Sequence, residues 1–328
     1  MFLIKEKGDI INQKEFLTIK EQIQRIKSYN IVIKNEKKAK ELLEKNSFYN
    51  IINGYREPFY FNNRKNKYIK GTSFEEIFAL YEFDRKLRNL LFPTLLDIEN
   101  AIKSEIIYEF LKTTDAKRNL INDKDNYLKI SSYNLGNNDR IKYNLALNLI
   151  NDLQNIISNY FKNSDSISHY LINYGYVPLW VLSTKMTFTN ISKFYQCMIG
   201  KNRQAIAKKY TMADDDFETI LKLLTIARNY CAHYNRIYNF STNIILPTPN
   251  KSIYPLQYQF ITNSKNKENG LFNIIITMKY FISSKNYKAF INSIDTLIKE
   301  LEKKLSTIKI DDILKIMGFP PNWIDIKK

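Results

Sequence analysis

The chain has 328 residues, 44% of them hydrophobic, with only 8 Gly and 8 Pro. That supplies enough apolar side chain for a sizeable core, excludes global disorder, and provides too little turn chemistry for an all-β fold. Lysine and arginine number 50 against 33 acidic residues, a net charge of +17; such a field either attracts a phosphate backbone or is a lysine excess of AT-rich coding that only solvates the surface.

In chain order, helices are expected over 14–29 and 36–45. An aromatic segment, 47–60, then ends in the loop Arg56-Glu57-Pro58. The basic stretch 62–70 is a loop, either solvated or in contact with phosphate. Ser73 and Glu76 stand at capping-box spacing and open the longest helical region. Phe74, Ile77, Phe78, Tyr81, Leu87, Leu90 and Leu91 keep the helical period before Pro93, and Leu95, Ile98, Ile102, Ile106 and Phe110 keep it afterwards. Pro93 is expected to kink or split the helix. A polar loop over 113–135 precedes a helix over 139–162, where Ile141, Leu145, Leu149, Leu153 and Ile157 recur every four residues. One apolar helix is expected over 180–198 and a short basic one over 200–210, carrying Lys201, Arg203, Lys208 and Lys209.

Asp215 and Glu218 repeat the capping pattern before a helix expected to run to about residue 240. An irregular segment, 241–270, holds Pro247, Pro249 and Pro255. Periodicity leaves 271–282 undecided between strand and helix. An amphipathic helix over 285–305 and a short one over 311–317 complete the chain. The expected architecture is all-α: an N-terminal helical extension over 1–60, a main helical domain over 61–310, and a tail over 311–328.

Cys197 and Cys231 lie far apart without CxxC spacing and read as reduced core thiols. The start Met1-Phe2-Leu3-Ile4-Lys5 meets charge too soon for a signal peptide, and no apolar run approaches the ~20 residues of a bilayer span. A cytoplasmic protein without a membrane segment is expected. There is no HExxH, no His/Cys pair at ligand spacing and no Gly-rich phosphate loop, so neither metal nor cofactor is expected. Asp84 and Glu99 read as salt-bridge or polar-lattice residues.

The stretch Ala227–Arg236 carries His233, one of two histidines in the chain. At about 100° per residue, Phe217, Ile220, Leu221, Leu224, Ala227 and Cys231 form a buried stripe. Asn229, His233 and Arg236 fall opposite it, with Arg228 at the border. Such a face is either a solvated surface or a site. As a site it suits metal-independent RNA cleavage: histidine moves protons at neutral pH and an always-charged arginine steadies phosphate. With only one of the two histidines in such a context, a homodimer is called for to supply the second proton-transfer group. Tyr230, Tyr234 and Tyr238 form a row at i, i+4, i+8, for packing or for stacking unpaired bases. His169 reads as a packed structural residue.

Several blocks carry a resemblance. Arg228-Asn229-(three residues)-His233 is similar to the R-x4-6-H signature of HEPN ribonucleases. Leu80-Tyr81-Glu82-Phe83-Asp84-Arg85-Lys86-Leu87-Arg88 resembles the LYxFDxxLR block of the Abi-like (AbiD/AbiF-type) abortive-infection family, and Asp97-Ile98-Glu99 its xIE continuation. Pro178-Leu179-Trp180 resembles that family's PxW block, although Ser183–Thr189 lacks the acidic residue and Phe-Gly that often follow. The resemblance implies a HEPN-type helical bundle, an RNA target and a role in antiphage defence, often toxic to the host. It implies Arg228, Asn229 and His233 as catalytic residues. Tyr230, Tyr234, Arg236, Lys201, Arg203, Lys208 and Lys209 are the expected RNA contacts. Three functions follow: a dimeric endoribonuclease, an RNA-binding protein held with a non-coding RNA, or a module whose Arg/His face only pairs helices.

Overall fold

The protein, seen here in a computed structural model, is described over residues 16–65, 67–116, 126–137, 139–253, 255–263 and 270–327. Over these it is all-α. Thirteen α-helices are found among the described residues: α1 (Ile19–Ser28), α2 (Glu36–Asn46), α3 (Phe74–Ala116), α4 (Arg140–Phe161), α5 (Asp165–Tyr174), α6 (Leu179–Leu182), α7 (Phe188–Cys197), α8 (Gly200–Lys209), α9 (Asp214–Ala232), α10 (Pro255–Asn263), α11 (Leu271–Met278), α12 (Ser284–Glu302) and α13 (Ile310–Ile316). Extended pairing among the described residues is confined to two isolated bridges, Val32 with Ser73 and Tyr60 with Tyr68. Residues 1–15 of the expected N-terminal extension, 117–125 of the expected polar loop and 264–269 of the expected irregular segment lie outside the described residues. No helix among the described residues is long and apolar enough to cross a membrane.

The chain divides into two compact units, one reaching to Phe83 and including Glu300–Ile310, the other comprising Asp84–Lys299 and Asp311–Lys328. In the first, Thr18 and Glu21 close a capping box on α1, which buries Ile23 and Ile26 and packs against α2. The expected box at the start of α3 also forms. The Ser73 amide and hydroxyl each donate to Glu76 Oε2 at 3.1 Å, and the Glu76 amide donates back to Ser73 Oγ at 3.3 Å. The other carboxylate oxygen does more. Glu76 Oε1 accepts from the amides of Ser306 and Thr307 at 2.6 and 2.7 Å and from the Thr307 hydroxyl at 3.0 Å. Burial pushes the Glu76 carboxyl up, but these donors outweigh it and hold the group below the usual glutamate range.

In the second unit, Leu87, Leu91, Leu95, Ile98, Ile102 and Ile106 are all buried along α3. Pro93 neither splits nor ends this helix. Proline removes one backbone bond, and the apolar stripe on both sides of it supplies the compensation. Around this stripe α7 packs on both α4 and α9, while α8 and α11 pack on α9. Phe110, Tyr133 and Phe194 form a ring cluster with centroids 4.9–6.0 Å apart. On α4 the every-fourth-residue run drifts about 40° per step off one face. Leu149 and Leu153 are accordingly buried, and Ile141 stands 73% exposed.

Other departures from expectation have local causes. The expected helix over 180–198 is two: Ser183 and Thr184 hydroxyls donate back to Trp180 and Val181 carbonyls, and Thr187 caps a new start at α7 through Asn190. The start of α9 has no side-chain cap at Ala213; Glu218 is instead drawn to Arg203 and Lys222. The expected irregular segment contains α10. Of the undecided stretch 271–282, Leu271–Met278 forms α11, buried nearly all round, and the rest turns; an all-round apolar helix has no period to read.

Glu76 yields a prediction. Glu76→Gln keeps the shape but exchanges a multiply bonded carboxylate for an amide that must point a donor at donors. It should lower unfolding free energy in urea by about 2–3 kcal/mol at pH 7. Because the folded pKa is depressed, that difference is fully present above the ordinary glutamate value near 4.3 and shrinks as pH falls below about 4. A difference independent of pH between 7 and 3 would contradict the assignment.

Candidate functional site

Arg228 lies on the last turns of α9, at the edge of a stripe that buries Phe217, Ile220, Leu221, Leu224, Ala227 and Cys231. Its guanidinium is held rather than loose. Nε donates to Glu99 Oε2 of α3 at 2.8 Å, Nη1 reaches Asn229 Oδ1 at 3.4 Å, and the group sits 6.0 Å over the Phe92 ring. The Asn229 amide in turn donates to the Thr189 hydroxyl at 3.4 Å, tying α9 to the start of α7. Glu99 also faces Lys103 one turn along α3, at 3.8 Å, and Lys103 donates to the Met186 carbonyl at 2.9 Å. Burial lowers the Lys103 pKa; the Glu99 carboxylate opposes that shift and the Arg228 charge adds to it. One buried carboxylate thus lies between two cations.

The helix does not run to 240 as expected; it ends at Ala232, with His233 as its C-cap. The cause is Asp84. Its fully buried carboxylate accepts the amides of Ile237 and Tyr238 at 3.0 and 2.7 Å, so those amides are unavailable to a continuing helix. Asp84 also pairs with Arg88, whose Nη1 donates to the Asn235 carbonyl at 3.3 Å. The chain reverses through Tyr234, whose φ of +56° is left-handed. Burial beside this pair pushes the Cys231 thiol up to about 12, Arg88 opposing and Asp84 adding.

This turn redistributes the residues that periodicity aligned. His233 is exposed, and its ring has no hydrogen-bond partner among the described residues. Arg236, expected beside Asn229 and His233 on a helix face, lies half-buried in the non-helical segment. The expected tyrosine row does not form. Tyr230 is half-buried with its ring edge-on to Phe240 at 5.0 Å, Tyr234 is 83% exposed, and Tyr238 is buried.

The basic helix α8 also divides. Lys201, Lys208 and Lys209 are exposed. Arg203, expected to contact phosphate with them, is buried instead: it pairs with Asp215 and Glu218 at 2.8 and 2.9 Å and lies 5.2 Å over the Tyr195 ring. Its charge is used inside the fold. His169, expected to be packed, is exposed on α5 with Asn173 3.0 Å from Nδ1. Among the described residues no group of three or more His, Cys, Asp or Glu is placed to hold a metal.

Two residues of the network around Arg228, each one bond removed from it, escaped the sequence reading as site residues. Lys103 stands four residues after Glu99, the spacing of neighbours on a helix surface, and that signal was available. Thr189 carries no comparable signal, since only the packing of α7 on α9 brings it near. Chemically the arrangement joins a fixed cation, a polar amide and an exposed imidazole at one helix end.

The family described as Abi-like protein matches residues 41–239, well over half of the chain. No curated protein matches, and no solved structure matches. The matched span includes Asp84, Arg88, Glu99, Arg228 and His233 and ends one residue past Tyr238, the last amide that Asp84 holds.

Removing Asp84 leaves Arg88 buried without its carboxylate and two amides without an acceptor. Asp84→Ala should lower unfolding free energy by about 3–5 kcal/mol. It should also let an aromatic disulfide reagent reach Cys231 at pH 8, where the native thiol is protected. Unchanged stability together with an unreactive thiol would contradict the role given to Asp84.

Proposed function

The chain belongs to the Abi-like protein family, and on that premise we propose that it is an abortive-infection effector that cleaves RNA in the cytoplasm, as a homodimer, by the metal-independent chemistry of HEPN ribonucleases. The observation that carries the reading is the presence, within six residues at one helix end, of a guanidinium fixed by Glu99 and an exposed imidazole at His233 that has no hydrogen-bond partner among the described residues. The reaction needs a base to take the proton of a 2′-OH, an acid to protonate the departing 5′-oxygen, and positive charge against the phosphorane. The attacking 2′-oxygen forms the new P–O bond as the P–O5′ bond breaks, leaving a 2′,3′-cyclic phosphate and a 5′-hydroxyl. His233 fits the proton transfers, and Arg228 the charge. One chain offers one such histidine, so a second copy supplies the partner.

Glu99 orients Arg228, and Asn229 carries the link on to Thr189. The net charge of +17 and the exposed Lys201, Lys208 and Lys209 favour a polyanionic target. Tyr234 gives up the ordinary backbone region while its ring stays in solvent, a conformation suited to stacking on an unpaired base.

His233→Ala should lower cleavage of a structured RNA about 10²–10⁴-fold, and Arg228→Ala about 10²–10³-fold. Both should relieve toxicity in cells; His233→Ala should leave thermal unfolding near wild type, whereas Arg228→Ala leaves the buried Glu99 with only Lys103 opposite it and should lower Tm. A fully active His233→Ala protein would contradict the proposal. Salt-sensitive RNA binding with no cleavage by the wild type would mean that Arg228 and His233 bind RNA, as in a complex with a non-coding RNA.

A further inference from the structure

A cavity of about 530 Å³ opens between the α8–α9 turn, the segment around Pro247 and Pro249, and the end of α11. Its size is that of a small-molecule site. Met212, Ile220 and Pro247 supply apolar walls, and the half-buried Tyr280 contributes an aromatic ring. Two charges of opposite sign line the same space without pairing. Asp216, on the first turn of α9, has no hydrogen-bond or ion-pair partner among the described residues, and neither does the ammonium of Lys208. Every other acid close to this turn is engaged: Asp214, Asp215 and Glu218 all meet Arg203.

We propose that this cavity binds a guanine-bearing nucleotide, with the Asp216 carboxylate accepting the base N1–H and exocyclic N2–H, the Tyr280 ring against the base, and Lys208 at the phosphate. The apolar side chains of Met212, Ile220 and Pro247 beside one carboxylate suit a planar ring that presents two adjacent donors, and guanine is the nucleobase with that edge. Adenine places an acceptor where the carboxylate needs a donor. Cytosine offers its amino group beside an acceptor. Burial raises the Asp216 pKa and the neighbouring charges of Asp215 and Asp214 add to it, so the carboxylate gains from strong donors. The nucleotide is either free or an unpaired guanosine within RNA. Binding here is independent of Arg228 and His233, so it stands or falls separately from the cleavage reading.

Calorimetric titration of the full chain tests this. GMP should bind about ten-fold or more tightly than AMP or CMP, the discrimination of a good bidentate pair. Asp216→Asn, which presents one donor and one acceptor, should lose that preference and gain affinity for xanthosine monophosphate. Lys208→Ala should weaken GMP while leaving guanosine unaffected. An oligoribonucleotide with one unpaired guanosine, compared with its inosine counterpart, separates the sources: a loss with inosine in the wild type but not in Asp216→Asn places the site on RNA, and no difference places it on the free nucleotide. Absence of GMP binding, equal binding of GMP and AMP, or an unaltered preference in Asp216→Asn would overturn the proposal.

Discussion

The buried carboxylate of Asp84 is the constraint on which the candidate site depends. A carboxylate with no solvent exposure is tolerated only when its oxygens are filled, and here they take two backbone amides and the Arg88 guanidinium. Those amides belong to residues that would otherwise extend α9. By capturing them, Asp84 stops the helix at Ala232, turns the chain at Tyr234 and leaves His233 at an exposed terminus. Without that capture the imidazole would be one more residue on a helix flank.

A second buried carboxylate organises the charge. Glu99 lies between Arg228 and Lys103 and holds the first directly. A phosphate approaching Arg228 finds its Nε already committed, while Nη1 is engaged only by the longer contact to Asn229. That division fits a guanidinium whose position is fixed by one edge and whose other edge meets a ligand. It also explains how two cations persist side by side at low exposure: the shared carboxylate offsets their repulsion.

Much of this was legible in the sequence where the signal is local. The box at Ser73 and Glu76, the stripe from Leu87 to Ile106 and the apolar face of α9 are set by spacing alone, and they form as that spacing implies. The roles of Asp84 and Glu99 as polar-lattice residues were also readable, because acids inside an apolar helical stretch must find partners. The end of α9 was not, because it is decided by an acceptor about 150 residues earlier in the chain. The same failure misplaced Arg236 and the tyrosine row. Arg203 was misread for a related reason: its lysine neighbours suggested a solvated basic face, and only the packing of α8 on α9 brings it against three acids.

The central claim is that the helix end at Arg228 and His233 directs an RNA's own 2′-hydroxyl at the adjacent phosphate. The most direct measurement compares, in EDTA, an RNA the protein cuts with the same strand carrying a single 2′-deoxynucleotide on the 5′ side of the cut. The account predicts that the all-ribose strand is cleaved to a 2′,3′-cyclic phosphate and a 5′-hydroxyl, and that the deoxy position is left intact. Cleavage at the deoxy position, or fragments bearing 5′-phosphate and 3′-hydroxyl ends, would contradict it.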